Sequence, residues 1–215
     1  MPTTRLALLC AIALLGIARA QAPEIHLRGD RFAPLNYATM TPQQKSLTDS
    51  LLAGERHTTD GPFNALLRSP EMGDLAQKLG AQLRFHSSLP DRLKELAIIV
   101  TGRSWNAQYE WYAHKRLALA AGVSQATVDA IAQGRRPSSM TSEETAVYNF
   151  CTELLETKQV SDATFAAAKQ LLGERGVVDL IGTMGYYHLV SMLLNVDRYP
   201  LPQGATPELK PLGSR

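Results

Sequence analysis

Cysteine is almost missing. The 215 residues hold two, Cys10 and Cys151, too few for a disulfide framework. Cys151 sits among apolar residues in "YNFCTELL" and reads as a buried, inert thiol. Net charge is small, +2 for the whole chain, so there is no electrostatic case for a nucleic-acid or anionic-membrane partner. A glycine-rich phosphate loop is absent. The five histidines show no metal spacing. Glu110-x-x-x-His114 supplies two possible ligands and no third is identifiable, so neither metal nor cofactor is expected. Period-two strand patterns, fixed-period repeats and low-complexity blocks are missing too. Beyond residue 20 no segment approaches eighteen consecutive apolar residues, so no stable membrane insertion is expected.

Residues 1–20 read as an export signal. Arg5 gives a charged start, "LALLCAIALLGI" an apolar run too short to span a bilayer, and "ARA" a small-x-small cleavage pattern before Gln21. The expected location is periplasmic or secreted. Arg5 and Arg19 leave with the signal, which lowers the 22 basic residues to 20 against 20 acidic ones. The mature chain is near neutral and long enough for one core.

Residues 21–40, with two prolines and no sustained period, read as an N-terminal arm. Residues 200–215, rich in Pro and Gly, read as a flexible tail. The domain between them, 41–199, is full of helix signals. Thr41-Pro42 and Ser69-Pro70 look like cap-plus-first-turn pairs. Helices are expected near 90–103 and 105–121. Ser124 caps the next, Thr141 with Glu144 forms a capping box for 142–157, and further helices cover 161–172 and 174–196. Gly122, Gly134 and Gly173 read as helix stops. The expected fold class is all-α, with short connections between neighbouring helices.

Two of these helices carry polar residues where apolar ones belong. At ~100° per residue, Leu117, Glu110, Ala121, His114, Ala107 and Ala118 share one arc of the 105–121 helix. Lys115, Gln108, Tyr112 and Arg116 face the other way. On the preceding helix Glu95 shares an arc with Ile98, Ile99 and Gly102, and Arg92 is close enough to pair with it. A carboxylate on an apolar stripe is costly unless it is paired or hydrogen-bonded. The economical arrangement brings Glu95, Glu110 and His114 into one cleft. An imidazole that titrates near neutrality, beside two carboxylates that repel each other, is equipped for general acid–base catalysis. The same three residues could also form a buried network that only rigidifies the bundle. Trp105, Tyr109 and Trp111 are candidates for an aromatic pocket wall. His188, in the apolar "GYYHLVSMLLN", is either a pocket residue or a core histidine; Tyr186 and Tyr187 beside it are possible phenol donors.

The stretches "LPDRLKELAIIVTGRSWNAQYEWYAHKRLALAAGVSQATVDAI", "TSEETAVYNFCTELLETKQVSDATFAAAKQLLGERGVVDLI" and "GYYHLVSMLLNV" resemble the carboxymuconolactone decarboxylase and alkylhydroperoxidase D-like superfamily, over about residues 60–200. The resemblance implies a helical bundle assembled as a homo-trimer or homo-hexamer, with sites near subunit contacts. Hydroperoxide-reducing members carry a Cys-x-x-Cys pair ahead of the helix His and a Glu on the preceding helix. Glu95 and His114 match that Glu and His, but Ala107 and Glu110 stand at the cysteine positions. A dithiol relay cannot run without thiolates. The chain resembles the decarboxylase-like members, which lack the pair. For them the resemblance implies a lyase doing cofactor-free acid–base work on a small acid or lactone. His114 would then shuttle the proton, Glu110 would orient it or act as partner acid, and Glu95, held by Arg92, would complete the relay. A peroxiredoxin-type enzyme and a non-catalytic ligand-binding protein are the alternatives.

Overall fold

The computed structural model describes residues 23–212; the export-signal expectation for residues 1–20 lies outside them. Among the described residues there are eight α-helices and no strand. They are α1 Pro42–Ala53, α2 Phe63–Leu66, α3 Pro70–Phe85, α4 Asp91–Ser104, α5 Gln108–Ala120, α6 Gln125–Ala132, α7 Ser142–Thr157 and α8 Asp162–Asp197. The fold is the all-α bundle expected from the sequence.

Local chemistry sets the helix starts. Thr41 accepts from the Gln44 backbone and Gln44 reaches back to Thr41, a reciprocal cap that is repeated by Thr141 and Glu144. Ser124 and Ser161 cap α6 and α8 through their hydroxyl groups. Ser69 makes no side-chain cap, so Pro70 alone opens α3. The two helices expected at 161–172 and 174–196 run on as α8, with a kink at Gly173 (φ +68, ψ 175). Only glycine takes that conformation at low cost.

α4 is the central rod. Every residue from Leu93 to Arg103 is buried, and the helix packs against α5, α6, α7 and α8. Lys94 and Thr101, which lie outside the arc of Glu95, Ile98, Ile99 and Gly102, are buried as well. Lys94 is tolerated because its ammonium donates to Asp91 (2.7 Å) and to the Arg84 carbonyl (2.7 Å). Leu96, Ile99, Val147, Phe150 and Leu180 belong to the main core, where each large side chain contributes roughly 1.5–3 kcal/mol by burial. Cys151 is fully buried among them.

A tight turn reverses the chain between α4 and α5. Asn106 adopts φ +50, which asparagine tolerates, and its side-chain oxygen accepts from Arg103 (2.7 Å). This hairpin lays α5 along α4. α8 is long and apolar enough to cross a membrane by length and composition, but half of its most apolar window is buried inside the domain.

The described parts of the arm and of the tail both contact the domain. Arg28 of the arm grips Asp60 through Nε (3.1 Å) and Nη2 (3.0 Å), and Asp197 accepts from the Asp30 and Phe32 backbones. The tail, expected to be flexible, contacts the domain at residues 208–210. Leu209 is buried in the main core and Gln108 bonds the backbone of Glu208 and Leu209. Its prolines and glycine preclude a helix, but not packing.

Candidate active site

Glu95 comes from the second turn of α4, and Glu110 and His114 come from successive turns of α5. The hairpin brings all three together. His114 Nδ1 lies 2.7 Å from Glu95 Oε2, and His114 Nε2 lies 3.2 Å from Glu110 Oε1. Exposure is 6% for Glu95 and 4% each for Glu110 and His114. Gly102 makes the close approach possible: a Cβ there would come 3.3 Å from Glu110 Cγ.

The two imidazole contacts differ. Nδ1–Glu95 is a short hydrogen bond. The Nε2–Glu110 contact is off line, and Glu110 Oε1 has no hydrogen-bond partner among the described residues. An ionised Glu95 accepts from Nδ1–H and so leaves Nε2 as the basic nitrogen. Burial raises the Glu110 pKa, and repulsion from Glu95 adds to this, against the attraction of His114, Arg84 and Arg56. Glu110 therefore holds its proton more tightly than a free glutamic acid does.

Glu110 and His114, but not Glu95, face a hollow of about 150 Å³. Glu110 and His114 line it from one side, and Tyr186 and Tyr187 of α8 from another. The Tyr187 ring meets the imidazole edge-on at 4.9 Å between centroids. Burial, then the charge of Glu110, pushes the Tyr187 phenol well above its usual pKa, so it stays protonated. Arg56 and Arg84 also line the hollow, and neither forms an ion pair among the described residues. Arg56 Nη2 donates to the Tyr186 hydroxyl at 3.3 Å. Gly80 of α3 makes room for both groups: a Cβ there would lie 2.2 Å from the Tyr186 hydroxyl and 2.4 Å from Arg56 Nη2.

The other sequence candidates scatter. Tyr109 lines the hollow, and its hydroxyl accepts from Arg28 (3.3 Å). Trp111 does not; it is buried in the main core, with its indole N–H directed at Glu208 (3.3 Å). His188 stands one residue beyond Tyr187, about 100° around the helix, and so leaves the hollow to receive the Trp105 indole N–H. Arg92 does not hold Glu95. It binds Glu143 (2.5 Å), Glu144 (3.1 Å) and Thr141 (3.2 Å) at the start of α7. Arg56 and Arg84 were missed because only tertiary packing brings them to α5.

Thiol chemistry has no foothold in this hollow. No cysteine is among its lining residues, and burial pushes the Cys151 thiol up to about 12, far from the thiolate a relay needs. Among the described residues no group of three or more His, Cys, Asp or Glu side chains is arranged to hold a metal ion.

Comparison with curated proteins finds no match to the chain. The carboxymuconolactone decarboxylase family model matches residues 70–153, which run from α3 through most of α7 and include Glu95, Glu110 and His114. The similarity to the carboxymuconolactone decarboxylase family thus covers residues 70–153, the part of the all-helical bundle that holds these three side chains.

Proposed function

We propose that this protein is a cofactor-free acid–base enzyme acting on a small organic acid or lactone outside the cytoplasm. The observation that carries the reading is the cluster of Glu95, His114 and Glu110 beside a hollow lined by two guanidinium groups that form no ion pair among the described residues. Arg56 and Arg84 offer charge-assisted hydrogen bonds to a substrate carboxylate. His114 Nε2 takes a proton from the carbon or oxygen acid. Glu110, whose burial favours its protonated form, returns one to the developing carbanion or leaving oxygen. In a decarboxylation the C–C bonding pair stays on the substrate carbon and that proton replaces the lost carbon dioxide.

A screen of small carboxylic acids and lactones, with product detection on the periplasmic or secreted fraction, tests this. Turnover is expected for at least one acid and not for its methyl ester, with loss in His114→Ala. A ligand that stabilises the fold but is never converted would leave a binding protein in place of an enzyme.

Assembly as a homo-trimer or homo-hexamer belongs to the same proposal. Met72, Leu75 (70% exposed) and Leu79 form a stripe on α3, and Val178 and Ile181 are exposed on α8, which packs against α3. A second copy covering this face would remove an apolar patch from water. Sedimentation velocity should show an oligomer for the parent and a smaller species for Leu75→Glu; a monomeric parent would end the idea.

A further inference from the structure

A second cavity, of about 260 Å³, lies between the ends of α4 and α6 and the side of α7, and shares no lining residue with the hollow. Its chemistry is unlike that of a packing defect. Arg103, at the end of α4, lines it and is 5% exposed. Two neutral oxygens serve this guanidinium, Asn106 Oδ1 (2.7 Å) and the Lys210 carbonyl (2.9 Å), while Nε has no partner. No carboxylate reaches Arg103 within ion-pair distance among the described residues. Burial lowers its pKa, with no opposing charge to offset it. A buried cation left in that condition is costly. Arg135, at the mouth, donates to Gln133 and forms no ion pair among the described residues.

The geometry points to a second binding site here, for a small amphipathic monocarboxylate. Arg103 and Arg135 bring two positive charges to the lining, neither ion-paired among the described residues, while Glu156, also there, already has a partner. The rest of the wall is apolar: Val100, Ile131, Leu155 and the Tyr148 ring. Leu212 of the docked tail closes one side and sits where a Cβ on Gly134 would come within 2.5 Å of it. The volume suits a short aliphatic acid rather than a drug-sized molecule, for which pockets run to roughly 300–1,000 Å³. The carboxylate meets Arg103 at the floor and the chain lies along the apolar wall.

The test is titration calorimetry on the chain from Gln21, with hexanoate as probe and hexan-1-ol as its neutral counterpart. Hexanoate is expected to bind at least about tenfold more tightly than the alcohol, the worth of one charge-assisted hydrogen bond. Arg103→Gln should weaken it by a similar factor and Arg135→Ala by about threefold, whereas Arg56→Ala, which alters the hollow, leaves this binding intact. If Arg103→Gln fails to fold, Arg135→Ala and amide shifts at Val100, Ile131 and Thr152 on adding hexanoate carry the test. Equal affinity for acid and alcohol overturns the proposal. So does binding abolished by Arg56→Ala but indifferent to Arg135→Ala, and so does no binding at all.

Discussion

Replacing Glu110 by glutamine is expected to cut turnover by about 10²–10⁴-fold while leaving the protein at least as stable as its parent above pH 4.5. The first half follows from chemistry, since an amide of the same shape cannot give up a proton. The second follows from linkage. Burial raises the Glu110 pKa above its ordinary value of 4.5 in the folded state, so the native protein binds this proton more tightly than the unfolded chain does. That preference contributes stability below pH 4.5 and is lost as pH climbs through the raised pKa. Glutamine carries no proton to lose. Its N–H group can donate to His114 Nε2, which lies 3.2 Å from the atom it replaces. The advantage of the variant should thus be small at acid pH, grow above pH 4.5 and then level off. Urea midpoints measured from about pH 4 to pH 8 check this. A variant less stable throughout would mean that Arg56, Arg84 and His114 hold Glu110 as a carboxylate and that the acid has been misassigned. The outcome expected here is the familiar exchange of stability for activity at a working site.

How far the sequence could be read depended on the range of the interaction. Thr141 and Glu144 cap α7 where the capping motif stands, because a cap is a contact three residues long. Glu110 and His114 share a face because helical spacing alone requires it. Glu95 reaches His114 because a hairpin as short as 105–107 leaves α4 and α5 little choice but to lie side by side. Reading failed where neighbours arrive from afar. Arg92 is near Glu95 in sequence, yet the first-turn carboxylates of α7 stand closer in space. α4 carries no wet face because four helices surround it, which no pattern within fourteen residues reveals. Trp111 and Tyr109 are two residues apart and end in different places, one in the core and one at the hollow. Arg56, before α2, and Arg84, near the end of α3, have no local feature that marks them as substrate cations; only the fold assembles them.

The remaining large effect separates a working proton chain from a merely rigid one. His114→Ala should abolish turnover and also destabilise the protein by about 3–5 kcal/mol, because Glu95, 6% exposed, is left as a buried carboxylate without its partner. Loss of both functions does not distinguish the readings, so two companions are needed. Glu95→Gln combined with His114→Ala removes the orphaned charge and should recover roughly 0.5–3 kcal/mol relative to the sum of the single changes, the mark of two groups in direct contact. His114→Gln keeps an N–H donor for Glu95 but has no basic nitrogen facing the hollow. Stability should return in large part, measured as the urea midpoint, while turnover stays absent. A network that only stiffens the bundle predicts the opposite, with activity rising in step with stability as soon as the Glu95 hydrogen bond is restored. The outcome turns on the lone pair of Nε2, which glutamine lacks and which nothing else on α5 replaces.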